Sequence, residues 1–356
     1  MSAPVKPNPT MPWIWAWRDP HPGAGKGGRG PGRGRRSSPM TWRWSDRLVL
    51  ASAWAIGALL CVVAAAIVLY IGVRGIQYLS PSLIFSRPQA STDQAGSGGF
   101  LDPLFGTVLL TLIGLVISLP LGVASAVWIA EYGQGGRARQ ALARVIESSI
   151  EIVAGTPDVV LAIFGLAVFQ LSPLAFLSFR AEGGGVFGRS FIAAGAIMSL
   201  LALPSIYAAT RDGLQSVPSQ MREAAFALGK TRITTIRRVL IPNVTSNIAT
   251  GATLGISRII GSTAIVLILL GSTLRTETVG SVPVIGLLRG TGSTLTSYVY
   301  ENSAAGEGGA PQKAFAAAFV LLVFVLALNL LVEWIGRSQE RASGVNAVGA
   351  AVGAVV

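Results

Sequence analysis

The sequence predicts an all-α membrane protein with six transmembrane helices, on three observations. Residues of the AVILMFWYC set fill 51% of the 356 positions and Gly another 43 positions, while Asp, Glu, Lys and Arg together reach 12%, about half the roughly 25% of soluble domains. So little charge cannot clothe a water-exposed surface of this size, whereas lipid requires almost none. The apolar residues fall in runs close to the ~20 residues that cross a bilayer as a helix. These runs do not alternate polar with apolar, as the strands of a membrane barrel do.

Residues 1–47 hold Pro, Gly, Arg and Trp without helical periodicity, including Gly23-Ala24-Gly25-Lys26-Gly27-Gly28-Arg29-Gly30. Such a segment cannot bury enough apolar surface to offset its ordering entropy, and it is predicted to be disordered. Its basic residues (Lys6, Arg18, Lys26, Arg29, Arg33, Arg35, Arg36, Arg43 and Arg47) stand within reach of anionic headgroups of membrane lipid. Met40 is a second candidate start of translation.

Six apolar segments follow at 48–73, 104–130, 148–171, 190–209, 246–271 and 314–335. The first exceeds the roughly 7–15 residue core of a secretory signal and no small-residue cleavage site follows it, so it is expected to stay as an anchor. The expected organisation is therefore a basic tail (1–47), a first helix with its outer loop (48–103), a core (104–336) and a second tail (337–356).

Lys and Arg set the orientation. Twenty collect on one side, namely those of the first tail with Arg137, Arg139, Arg144, Arg211, Arg222, Lys230, Arg232, Arg237, Arg238, Arg337 and Arg341. The other side holds Arg74, Arg87, Arg180, Arg189, Arg275 and Arg289. The positive-inside rule then places both termini and the 211–245 loop in the cytoplasm, with the 74–103 and 272–312 loops outside. A net charge of +12 distributed in this way follows membrane orientation and does not point to nucleic acid.

Enzyme chemistry finds no support. Cys61 is the single cysteine and lies in the first apolar run, and His21, the single histidine, has no ligand cluster around it. No nucleophile with a plausible base and no Gly-x4-Gly-Lys-Ser/Thr loop appears, so no catalytic or metal-binding residue is assigned and ATP hydrolysis must belong to a partner.

Between the fourth and fifth apolar segments, residues 218–242 read Pro-Ser-Gln-Met-Arg-Glu-Ala-Ala-Phe-Ala-Leu-Gly-Lys-Thr-Arg-Ile-Thr-Thr-Ile-Arg-Arg-Val-Leu-Ile-Pro. Pro218 and Ser219 suit a helix start, Met221 to Leu228 favour helix, and Gly229 permits a sharp reversal before a second amphipathic turn ending at Pro242. A short helix, a bend and another helix present a small apolar knob (Ala224, Ala225, Phe226, Leu228) fringed with basic residues, a shape suited to a groove on a soluble partner. Glu223-Ala224-Ala225, three residues, Gly229, nine residues, then Val239, Ile241 and Pro242 resembles the EAA loop of binding-protein-dependent ATP-binding-cassette importers.

Within that family, Gly98-Gly99-Phe100, Gly106-Thr107, Pro120-Leu121-Gly122, Ala130-Glu131-Tyr132-Gly133, Phe164-Gly165-Leu166, Leu203-Pro204 and Asn329-Leu330-Leu331 resemble the A-type permease of phosphate-specific transport. The resemblance implies a type I importer permease fold in the bacterial inner membrane and a C-type permease as second subunit. It also implies an ATPase dimer that binds the ATP and Mg, and an extracytoplasmic phosphate-binding protein. It implies alternating access too, with Glu223 and Gly229 defining a lever that Ala224, Ala225 and Phe226 seat in the ATPase and that Pro242 ends.

An anion crossing a membrane needs positive potential, and a charge inside a span is a functional suspect. Arg258 lies ~13 residues from either end of the fifth segment, about 19 Å at 1.5 Å per residue, too far to snorkel, so it is expected to face protein or water. A substrate-pathway role and a structural buried pair are both open to it. Similar phosphate permeases carry Arg-x-x-Gly-Glu-Thr here, whereas this chain has Arg258-Ile259-Ile260-Gly261-Ser262-Thr263, placing Ser262 where a carboxylate is usual. They also often carry Arg where this chain has Ala208. Asp158, after the kink-prone Gly155-Thr156-Pro157, either pairs with Arg258 as a replacement carboxylate or lies near the membrane face as a cap or solvated charge. Other readings are a permease for another oxyanion or small solute, and a regulatory membrane component that keeps the ATPase dock.

Overall fold

Helix dominates wherever the chain is described, and the one pairing of extended backbone is an isolated bridge between Pro88 and Gly98. The computed structural model describes residues 44–89, 98–179, 187–271, 273, 276, 283–303, 306 and 310–353. The expectations for the 1–43 tail, for Arg180 and Arg275, and for the side chains of Arg47, Arg337 and Arg341 lie outside the described residues. By internal contacts the chain divides into Met1–Val62 and Val63–Val356. In the first unit residues 48–62 are helical with exposed apolar side chains, among them Trp54, Ile56 and Leu60, as lipid or another chain would require. The rest concerns the second unit.

In chain order the helices are α1 (Trp44–Tyr78), α2 (Pro81–Phe85), α3 (Leu101–Tyr132), α4 (Gly136–Gly155), α5 (Asp158–Gln170), α6 (Phe191–Ser216), α7 (Ser219–Ala227), α8 (Arg232–Thr235), α9 (Ile241–Asn243), α10 (Thr245–Gly261), α11 (Thr263–Ile265), α12 (Pro283–Leu288), α13 (Leu295–Asn302) and α14 (Pro311–Gly353). A π turn at Ile236–Leu240 joins α8 to α9, and another at Val266–Leu270 extends α11. Among the described residues four stretches are individually long and apolar enough to span a membrane: Leu48–Tyr78, Leu101–Tyr132, Phe191–Ser216 and Pro311–Gly336.

The third and fifth predicted spans are corrected in shape, because each is a bent pair. α4 and α5 meet at 112°, and α10 meets Thr263–Leu270 at 51°. At the first corner Pro157 offers no amide hydrogen and crowds Thr156, which turns extended with ψ 130°. At the second, Ser262 leaves the helix with φ −82° and ψ 98° although no proline marks it. The 272–312 loop is also more regular than its Gly, Ser and Thr content suggests: it holds α12 and α13, the latter opened by a reciprocal capping box between Thr294 and Ser297.

Three apolar clusters run along the bundle. The central one joins Leu110 of α3, Leu161 and Phe169 of α5, Ile197, Leu201 and Ile206 of α6, Ile259 of α10 and Ile265 of α11. A second, toward the 218–242 loop, joins Ala126, Ile150, Tyr207, Leu214, Ile236 and Leu240. A third, at the opposite end, joins Phe100, Leu295, Tyr298, Ala316 and Ala317. Small residues let the backbones approach: a Cβ on Gly251 would stand 2.9 Å from the Cα of Ile206, which brings α10 hard against α6.

Candidate functional site

The first candidate site is the loop at one end of the bundle. Pro218 is extended, and α7 starts at Ser219 and closes in a complete Schellman turn. The amide of Gly229 donates to the Phe226 carbonyl (2.9 Å), and that of Lys230 to the Ala225 carbonyl (3.1 Å). Gly229 sits at φ +70°, where only glycine is at ease. Thr231 then caps α8 through the amide of Thr234, and Pro242 lies in α9 after the widened π turn. The helix, bend and second helix expected from sequence are present.

Side-chain placement refines the knob. Ala225 is turned inward at 6% exposure, whereas Ala224, Phe226 and Leu228 face outward together with Glu223. An apolar groove of about 350 Å³ runs between α7 and the following turn, lined by Met221, Ala224, Leu228, Thr235 and Val239.

What holds the loop to the bundle escaped the sequence. Arg222 forms an ion pair with Glu131 at 3.1 Å, the Glu131 side chain being 8% exposed, and donates to the Leu214 carbonyl at 2.9 Å. Arg232 donates to the Glu131 carbonyl at 2.6 Å and lies 5.2 Å from the Tyr132 ring centroid. Two arginines of the loop thus clamp the last turn of α3. The Ala130-Glu131-Tyr132-Gly133 exit was the available signal, but only the fold says which loop it meets.

The second candidate site lies along α6 and α10. A cavity of about 690 Å³ is lined by Arg258, Ala208, Arg211, Asp212, Glu151 and Asn247, among others. Because α10 ends at Gly261, Arg258 occupies a last helical turn, not the middle of an unbroken span. There the negative pole of the helix favours its charge. Its side chain is exposed to the cavity and no ion pair or hydrogen bond joins it to another described residue. Ala208 borders the same cavity, so the position lacking a second arginine does face Arg258's space.

Ser262 and Asp158 are not gathered there. Ser262 is buried at the α10 corner, outside the cavity lining, and its Oγ has no hydrogen-bond partner among the described residues. Asp158 makes no ion pair with Arg258. It opens α5, in the first turn, where a carboxylate meets the positive pole of that helix. The corner at Pro157 separates Asp158 from the course that an unbroken third span would have given it.

Two carboxylates that the sequence did not single out are nearer. Glu147 of α4 pairs with Arg211 at 3.3 Å and accepts a hydrogen bond from the Tyr207 hydroxyl at 3.3 Å, and Glu151 lines the cavity itself. Both belong to the strongly amphipathic α4, where their four-residue spacing puts them one turn apart on one face.

A long apolar bundle with a clamped EAA loop and a cavity holding two arginines fits one family by sequence. The family model for the inner membrane component of binding-protein-dependent transport systems matches residues 118–342. The chain belongs to this family. Among its relatives, the probable ABC transporter permease protein YqgI of Bacillus subtilis is 27% identical over 82% of this chain and 95% of its own length. The phosphate transport system permease protein PstA 1 of Mycobacterium tuberculosis is 30% identical over 69% of this chain and 73% of its own. Among solved structures, a bacterial alginate ABC transporter bound to its alginate-loaded periplasmic protein superposes with a TM-score of 0.57 at 16% identity, over 83% of this chain and 96% of the matched one. That likeness concerns the fold. The chain is thus a multi-pass, non-catalytic permease subunit of an ATP-binding-cassette importer, a class that works with a partner permease, a separate ATPase and a substrate-binding protein.

Proposed function

We propose that this permease subunit forms half of the translocation pathway of an importer for inorganic phosphate. In this reading α7 docks in the ATPase dimer on the cytoplasmic side, a C-type permease supplies the other half of the route, and an extracytoplasmic phosphate-binding protein delivers the anion. ATP and Mg stay on the ATPase. The observation that carries the reading is Arg258, a guanidinium with no ion pair among the described residues, on a cavity that also holds Arg211. A tetrahedral oxyanion supplies the paired acceptors that such forks bind most strongly. The relatives named as phosphate permeases agree in substrate class.

The rigid turn at Gly229 makes α7 a lever, so movement of the ATPase dimer reaches α3 through Arg222 and Arg232. Family members place a carboxylate where Ser262 stands and an arginine where Ala208 stands, which keeps a second oxyanion or small solute in view. Proteoliposomes holding the complete assembly decide between substrates. Uptake of labelled phosphate that an excess of sulfate does not suppress is expected. Uptake suppressed by sulfate, or ATP hydrolysis stimulated by substrate without any uptake, would overturn the phosphate reading in favour of another oxyanion or of a regulatory role.

A further inference from the structure

Arg211 stands between two cavities. One is the cavity of Arg258, and the other, of about 620 Å³ at the EAA-loop end, is lined by Arg144, Glu147, Gln140, Gln215 and Arg222 among others. Arg211 is the one described residue that lines both. Ala208 and Arg211 are three positions apart, close to one helical turn, so the arginine extends the cavity face of α6 toward the loop. Four guanidiniums therefore line the two cavities: Arg258 in the first, Arg211 in both, and Arg144 and Arg222 in the second.

The contacts of Arg211 are those of a charge that can change partners. Its Nη2 meets one oxygen of Glu147 at 3.3 Å, with the two side chains 42% and 29% exposed. Its guanidinium carbon lies 5.9 Å from the Tyr207 ring centroid. Tyr207 in turn donates to the same Glu147 oxygen at 3.3 Å. A single-oxygen contact between half-exposed groups contributes little. An oxyanion offering two oxygens to the guanidinium fork outbids it.

We propose that Arg211 is a second anion station on the route, with Glu147 as its resting counterion. The entering oxyanion displaces the Glu147 carboxylate, which keeps its bond from Tyr207, and Arg211 hands the anion from the Arg258 cavity to the Arg144 and Arg222 cavity. On release Glu147 returns to Arg211 and closes that station to anion approaching from the cytoplasm. This inference rests on the phosphate reading above.

The test uses the complete assembly in proteoliposomes loaded with ATP and with graded unlabelled phosphate, and reads the initial rate of labelled phosphate uptake. Arg211→Gln is expected to lower the rate about tenfold or more, with partial recovery in Arg211→Lys. Glu147→Gln exposes Arg211 to internal phosphate, so the internal concentration that halves each protein's own rate is expected to fall about tenfold. If Arg211 and Glu147 form only a structural brace, both single variants and the double variant lose the same rate and that concentration stays put, which overturns the station. Vesicles of phosphatidylcholine and vesicles enriched in phosphatidylglycerol separate the two phosphate sources. A shift shared by both supports the free anion, and a shift abolished by phosphatidylglycerol assigns Arg211 to a lipid headgroup and overturns the relay. Unimpaired phosphate uptake in Arg211→Gln refutes this inference alone, whereas no phosphate uptake by the native assembly refutes the phosphate reading and this inference together.

Discussion

Replacing Gly229 by Ala tests how far the EAA loop depends on one backbone conformation. The residue holds φ +70°, and a Cβ built there meets no atom within 4 Å, so packing adds nothing to the cost. What remains is the left-handed backbone penalty for a residue with a Cβ, about 1–2 kcal/mol. That amount lowers the ratio of formed to unformed turn roughly 5- to 30-fold. Asn tolerates the conformation better and should fall between Gly and Ala. Pro cannot reach this φ, and it also deletes the amide that donates to the Phe226 carbonyl, so it should be worst. The assay is phosphate uptake by cells carrying each variant, normalised to the amount of permease in the membrane. The expected order is Gly, Asn, Ala, Pro, with membrane amounts alike because Gly229 and α7 lie outside the apolar clusters. Equal uptake by Gly and Ala would show that the turn is not the lever.

Three further outcomes follow from the contacts. Glu131→Gln removes the counterion of Arg222 and should raise hydrogen exchange across 219–235; adding Arg222→Ala should cost less than the sum of the two. Gly251→Leu drives a side chain into the Ile206 backbone and should reduce the amount of permease that survives detergent extraction, at a cost of about 1–3 kcal/mol of overpacking. Burial pushes the Tyr298 phenol up to about 12, and its hydroxyl has no partner among the described residues. The fold thus favours the neutral phenol, and that stabilisation is complete below pH 10 and lost as pH rises toward 12, so Tyr298→Phe should flatten the alkaline fall in unfolding temperature across this window.

The spans were legible because hydropathy and length are local properties. α1, α3, α6 and α14 cover the predicted segments with ends displaced by a few residues or prolonged beyond them. Corners were less so. Pro157 announced a break, but the 112° turn depends on how α5 packs against α6 and α11, and the second corner is marked only by the weaker Gly261-Ser262 pair. The helix-bend-helix course of the EAA loop was readable since its decisive element is one glycine at a fixed offset from a helix. Its anchorage was not, because Arg222 and Glu131 are brought together only when α3 and α7 meet. The same holds for the pathway. Arg258 stood out as a charge in an apolar run, whereas Arg211 read as an ordinary loop-side charge, and Glu147 becomes its partner only when α4 folds back across α6.

Arg258 offers the most direct test of the whole account. In cells deleted for their own high-affinity phosphate uptake, labelled phosphate entry is measured at low external concentration with the native chain, Arg258→Lys or Arg258→Gln, each with membrane amount and ATPase association recorded. The account requires entry with the native chain, reduced entry with Lys, and loss with Gln while the assembly stays intact. Native-level entry with Gln would take Arg258 off the route, and with it the claim that this cavity carries the anion.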